Sequence, residues 1–294
     1  MMPAVDEPLV SRPLWAAWLA PLPLPLLRAL GRMLGWLLWC FAHRRRRVVN
    51  TNLQLCFPHL TTPARRQLAR ATFVKFAQSL LDRAWLWHAP VVVVQARLVV
   101  KGELDWLASD GAKVLFAPHF VGLDAGWTAL TLNVDRLFAT IYAKQTRPRL
   151  DAWVLAGRSR FGNPQLLPRQ QLGRSVLQVM RRDAALYVLP DMDLGSRDAV
   201  FVPFFGVEAA TVTTLPRLAD IGQCAVAPVT TRLTSTGYEV TVHAPWSNYP
   251  SGDPEADVAA MNARLEAFIA TMPDQYYWVH KRFKTRPAGE KSFY

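Results

Sequence analysis

Apolar and polar positions along the chain fall into two alternating rhythms. Between Thr62 and Trp87, Leu68, Phe73, Phe76 and Leu80 recur at roughly helical spacing, with Thr62 placed to cap the helix and Pro63 suited to its first turn. The run VVVVQARLVV (91–100) reads as a strand. Short continuous apolar runs then mark buried strands at 113–118, 137–143, 184–191 and 224–233, with a possible fifth at 238–246. Helical patterns separate them at 124–132, 150–160, 173–183 and 214–222. A last helix over 254–272 aligns Val258, Met261, Leu265, Phe268 and Met272 on one face. This alternation predicts an α/β fold: a layered, largely parallel sheet flanked by helices. In such folds chemistry collects beyond the carboxyl ends of the strands. Those ends are polar here: His119 after the run at 113–118, Asp191 and Asp193 after 184–191, Thr230 to Arg232 in 224–233.

The first 47 residues keep neither rhythm. Residues 14–47 are apolar and Trp-rich and close in four consecutive arginines, Arg44 to Arg47. The longest uncharged stretch, Leu14 to Leu27, falls short of the ~20 residues that a spanning helix needs. Pro21, Pro23 and Pro25 break the helix there, and Arg28 and Arg32 interrupt the apolar run beyond Leu27. A secretory signal is excluded, because the positive block lies after the apolar stretch and no small-residue cleavage site is evident. Two readings stand: an anchor lying in the membrane interface, or a single span held by snorkelling arginines. Either way the arginine block puts the rest of the chain on the cytoplasmic side. The expected division is therefore a membrane-anchoring segment, 1–47, and an α/β domain, 48–294, with a helical lead-in over 48–90.

Charge sharpens the choice of partner. The 294 residues carry a formal net charge of +12, so anionic lipid, an acidic protein or nucleic acid would be drawn to the chain. Aromatic residues concentrate in apolar strands and the anchor rather than among surface bases, which argues against nucleic acid. The three cysteines, Cys40, Cys56 and Cys224, form no C-x-x-C pair, so neither a disulfide framework nor a structural zinc site is expected.

The candidate chemistry centres on FAPHFVGLDAG (116–126). Five residues on a helix subtend about 140°, so His119 and Asp124 share no helix face. They can meet if the strand ends at Pro118 and a turn through Gly122 returns Asp124 to the mouth of the next helix. Asp124 would then fix the tautomer of His119 and leave its other nitrogen to take a proton. A loop histidine beside a helix-capping aspartate is the alternative that spacing leaves open. No G-x-S-x-G elbow, H-E-x-x-H, Walker loop or G-x-G-x-x-G occurs. A base without a protein nucleophile points to a substrate hydroxyl and direct acyl transfer. Asp191 and Asp193 lack a further evident ligand, so no metal is expected. FVPFFG (201–206) reads as an apolar loop that lines an acyl channel, dips into lipid or packs in the core. WVHKRFKTR (278–286) mixes aromatic and basic residues suited to lipid phosphates or an acidic protein.

H-x-x-x-x-D after an apolar strand resembles the signature of glycerolipid acyltransferases. RRRRVVNTNLQLCFP (44–58), PHFVGLD (118–124), GRSR (157–160), PDMDLGSRDAVFVPFFGVEAATVTT (190–214) and YYWVHKRFKTRP (276–287) resemble, in order, the lipid A biosynthesis lauroyl/myristoyl acyltransferase family. The resemblance implies a glycerolipid-acyltransferase-like fold on the cytoplasmic face of the bacterial inner membrane. It implies transfer of a fatty acyl group from acyl-carrier protein to a hydroxyl of a lipid A precursor, with no cofactor beyond the thioester donor. On that pattern His119 is the general base and Asp124 its partner, where many members carry Glu. The arginine of the family's G-R pattern falls on Arg158, and the first acid of its D-x-D pattern on Asp191. Pairing of Asp191 with Arg158 is expected, with Arg169, and Arg174 beside it, joining recognition of the anionic substrate. The same His119/Asp124 chemistry on a lysophospholipid or aminolipid is a second reading. A non-catalytic protein binding anionic membrane lipid is a third.

Overall fold

In the computed structural model, which describes residues 13–169 and 172–294, a seven-stranded sheet divides two helical layers. The chain enters through α1 (Leu14–Leu19), α2 (Leu24–Phe41), α3 (His43–Cys56), α4 (Thr62–His88) and α5 (Val91–Ala96). It continues as β1 (Leu98–Gly102), α6 (Leu104–Ala108), β2 (Lys113–Phe116), α7 (Leu123–Asn133), β3 (Phe138–Tyr142), α8 (Pro148–Arg158) and β4 (Gln165–Pro168). The last part comprises α9 (Leu172–Met180), β5 (Ala185–Val188), β6 (Ala199–Phe204), β7 (Val207–Val212), α10 (Thr214–Gly222), β8 (Val226–Leu233), β9 (Tyr238–Val242) and α11 (Pro254–Thr271).

Strand order is β1-β9-β8-β2-β5-β3-β4, and every pair is parallel except β8 with β9. β2 and β5 are buried at every residue, as strands covered on both faces must be. Their alternate side chains feed two cores. Val114, Phe116, Leu186 and Val188 join the layer holding α9, α10 and α11, whereas Leu115, Ala185 and Tyr187 join the layer holding α7 and α8.

Three expectations change. The valine run at 91–94 starts α5 rather than a strand. Pro90 precedes it, Val91 and Val92 are exposed, and Val94 is buried with Val93 partly buried beside the core; the strand starts at Leu98. Thr61, not Thr62, caps α4 through its hydroxyl. FVPFFG is no loop: β6 and β7 form a hairpin whose two turn residues, Phe205 and Gly206, both have positive φ, as a two-residue turn demands. Phe204 is buried in the core and β6 lies against α11, so plain core burial wins.

α2 is the one helix among the described residues that is long and apolar enough to cross a membrane; the first 12 residues of the expected anchor lie outside the described ones. One face of α2 is locked onto α4. Cβ atoms at Gly31 and Gly35 would fall 2.9 Å from the Cα of Gln78 and 2.5 Å from that of Val74, so glycine is what allows the two backbones to meet. Arg28 is buried and ion-pairs with Asp82 of α4, which also accepts from Tyr238 Oη (2.6 Å) and Trp85 Nε1 (2.9 Å). The opposite face, with Leu26, Met33, Trp36, Leu37 and Phe41, is exposed, as are Leu14, Trp15 and Trp18 of α1.

Candidate active site

The register of the sheet builds the site. β2 and β5 run parallel with Phe116 beside Val188, so residues three past each strand end emerge side by side. Those residues are His119 and Asp191. Asp191, fully buried, accepts from the His119 ring through Nδ1 (2.7 Å) and from its backbone N–H (2.9 Å). Burial pushes the Asp191 carboxyl up, but the adjacent imidazole and these hydrogen bonds outweigh it and hold it below the usual range. With Nδ1 donating to a carboxylate, the neutral form of the ring carries its proton on Nδ1 and its lone pair on Nε2.

Asp124 stands elsewhere. It occupies the first turn of α7, makes no cap hydrogen bond, and accepts from Arg158 Nε (2.9 Å) and Arg83 Nε (2.7 Å). Burial alone would raise its carboxyl; the two guanidiniums bring it down to about 2. The two acids have thus exchanged the partners expected of them: Asp191 serves His119, and Asp124, not Asp191, orients Arg158. The reason is reach. Asp124 lies eight residues past the end of β2, in the first turn of α7, and faces α4 and α8, whereas Asp191 is delivered by the neighbouring strand. Gly157 completes the arrangement. A Cβ there would sit 2.2 Å from the Trp87 ring, so only glycine lets α8 approach α4 closely enough for Arg158 to reach Asp124.

These groups meet at a cavity of about 1080 Å³. His119, Asp124, Arg158 and Arg169 line it, joined by Arg83 and Arg197, while Asp191 stands behind His119. Phe76, Leu123, Trp127 and Leu194 supply apolar wall. Arg174, exposed on α9, is not among the lining residues. Arg83 escaped the sequence reading, although its signal was present: Phe76, Ser79 and Arg83 form a stripe at helical spacing, and all three line the cavity.

The C-terminal aromatic and basic segment closes over the histidine loop. Tyr277 N–H donates to the His119 carbonyl (2.9 Å), Val121 N–H donates to the Gln275 carbonyl (2.8 Å), and the Tyr277 ring stands 6.2 Å from the imidazole. Arg282 is buried and donates to Ala210 O (2.9 Å) and Thr211 Oγ1 (2.6 Å), so it braces the hairpin rather than meeting lipid. Asp193 accepts from the backbone (2.6 Å) and hydroxyl (2.8 Å) of Thr285, and its own N–H donates to His280 Nε2 (2.9 Å). Among the described residues no cluster of three or more His, Cys, Asp or Glu side chains is placed to hold a metal.

Chemically, the site offers a buried carboxylate–imidazole pair with a free lone pair at the edge of a cationic, partly apolar cavity. Residues 13–285 match the family model for bacterial lipid A biosynthesis acyltransferases. The chain is 31% identical to the lipid A biosynthesis lauroyltransferase of Escherichia coli K12, covering 100% of this chain and 99% of that protein. It is 31% identical to the palmitoleoyltransferase of the same organism, covering 94% of this chain and 91% of that protein. For the corresponding myristoyltransferase the identity is 28%, over 98% and 93%.

Proposed function

The chain belongs to the bacterial lipid A biosynthesis acyltransferase family, and from that premise we propose that it moves a fatty acyl group from the thioester of acyl-carrier protein to a hydroxyl of a lipid A precursor. His119 is the general base. Its Nε2 takes the proton of the acceptor hydroxyl as that oxygen attacks the thioester carbonyl; the tetrahedral oxyanion then collapses, the C–S bond breaks, and the imidazolium returns the proton to the departing thiolate. The observation that carries this reading is the pair of hydrogen bonds from His119 to the buried Asp191, which sets the tautomer and stabilises the imidazolium. The step balances without a metal or redox group.

Arg158, fixed by Asp124, is a candidate donor to the oxyanion. Arg83, Arg169 and Arg197 suit phosphate groups on the acceptor. The apolar wall suits an acyl chain. Residues 1–47 serve as the anchor of the 48–294 domain on the cytoplasmic face of the inner membrane, a reading supported by the exposed Trp and Leu side chains of α1 and α2.

The test is transfer of a radiolabelled acyl group from acyl-carrier protein to a lipid A precursor and, separately, to a lysophospholipid. The expected result is label on the precursor that disappears in a folded His119→Ala protein. Label on the lysophospholipid alone keeps the chemistry and refutes the acceptor; full activity in His119→Ala refutes the base.

A further inference from the structure

A second cavity, of about 540 Å³, lies where the end of α2 meets α3 and the start of α4. Arg46, Arg65, Arg66 and Arg70 line it, with Trp39, Asn50, Gln54 and Thr62, and no carboxylate is among its lining residues. From Arg70 to Arg83 is thirteen residues of one helix, about 20 Å along its axis, so this cavity is separate from the transfer site.

Two of its arginines are already engaged, Arg46 with the Trp39 carbonyl (3.0 Å) and Arg65 with the Leu60 carbonyl, which leaves Arg66 and the Trp39-stacked Arg70 to meet an anion. Arg46 and Arg70 both stack on the Trp39 ring, 5.4 and 5.7 Å from its centroid, which holds two guanidiniums against one platform. Arg65 and Arg66 fall near the N-terminus of α4, whose first turn has no acidic residue. That end of a 27-residue helix already carries positive partial charge, so cations there are disfavoured unless something negative joins them. The lining amides and hydroxyl add hydrogen-bond donors of the kind a phosphate accepts. The place of the cavity points to the source of the phosphate. It sits at the end of α2 whose other face presents Met33 (57% exposed), Trp36 (61%) and Phe41 (74%), an apolar surface with interfacial aromatics.

We propose that this cavity binds the headgroup of an anionic bilayer phospholipid, pinning the C-terminal end of α2 at the lipid surface. Each arginine near an anionic surface is worth about fivefold in partitioning, so a pair is worth on the order of twentyfold.

The test is flotation of the full-length protein with phosphatidylcholine vesicles, with and without phosphatidylglycerol, at physiological ionic strength. The cavity variant is Arg66→Gln/Arg70→Gln. A control of equal net charge, Arg181→Gln/Arg182→Gln, alters exposed residues beyond α9. Circular dichroism checks folding, and Arg66→Gln alone provides a milder variant that spares the Trp39 stack. The expected result is that the wild type and the control prefer anionic vesicles about twentyfold over the cavity variant, with binding to neutral vesicles equal in all three. Equal loss in both pairs, or loss in neither, overturns the proposal. A second arm adds inorganic phosphate during thermal unfolding. A phosphate-dependent rise in Tm that the cavity variant lacks, with flotation unchanged, assigns the cavity to a soluble anion and also overturns it. The readout is lipid binding, so it stands or falls independently of the acyl-transfer reading.

Discussion

Asp191→Asn isolates what the buried carboxylate does for the proposed base, His119. The carboxylate accepts twice from His119, at the ring Nδ1 (2.7 Å) and the backbone N–H (2.9 Å). An asparagine has one oxygen. If that oxygen keeps the backbone N–H, the amide NH₂ faces Nδ1 and the ring must present its lone pair there. The proton moves to Nε2, and the nitrogen left for the cavity can no longer accept one. Loss of general-base help is worth about 10²–10⁴ in rate, or roughly 3–5 kcal/mol of barrier. Asp191 does not line the cavity, so the fall should appear in kcat with KM nearly unchanged. Asp124→Asn should behave differently. It loosens Arg158 and Arg83, which do line the cavity, so KM for the anionic acceptor should rise along with any loss of kcat. Initial rates across acceptor concentrations separate the two, with thermal melts to confirm that each variant folds. A folded Asp191→Asn protein within threefold of wild-type kcat would refute the argument, and so would a pure kcat loss of the larger size in Asp124→Asn.

Gly35→Ala places a methyl group 2.5 Å from the Val74 Cα and 2.9 Å from the Phe73 carbonyl oxygen, backbone atoms that cannot swing aside. The expected cost is about 1–3 kcal/mol, read as a lower Tm, and an unchanged Tm would show that α2 does not sit this close to α4. Acid stability depends on groups with depressed folded values, Asp124 and His280 among them. Asp124 titrates at about 2 in the folded chain against an ordinary 3.8, so its contribution of about 2 kcal/mol is complete above pH 4 and is lost as pH falls towards 2. Urea unfolding of Asp124→Asn should lack that acid limb; a limb of wild-type size would sink the assignment. Burial first, then His119 and Arg282, depress His280 to about 4 from 6.5. Keeping it neutral is free above pH 6.5 and costs up to about 3 kcal/mol as pH drops through 4. His280→Asn should therefore flatten the stability profile between those values, and a profile that keeps its slope would place the titration elsewhere.

Much of the fold was legible because buried strands in a parallel sheet are apolar at every position and short, which distinguishes them from amphipathic helices. The valine run at 91–94 misled because β-branched propensity is weaker than its surroundings: a proline before it and solvent on one side made it a helical turn. The β6–β7 hairpin was hidden by Phe205, an unusual residue at positive φ, in a turn where Asn or Gly would have been a clearer signal. The site was legible as a list of residues but not as a set of pairs. His119, Asp124, Arg158 and Asp191 do converge, yet which acid touches which base depends on strand register. No one segment contains that information, although equal distances past Phe116 and Val188 encode it once the two strands are set side by side.

Asp82 and Arg83 are neighbours on α4, and they face different tasks. Asp82 grips Arg28 of α2, while Arg83 grips Asp124 at the transfer cavity. One peptide bond therefore joins the mooring to the workbench. Any lipid surface that takes in the free face of α2 sets the elevation of His119 above it, since neither grip can slide without parting a buried charge from its mate. In the proposed reaction the acceptor hydroxyl has to climb to the histidine, so headgroup shape becomes a gatekeeper before any pocket is consulted.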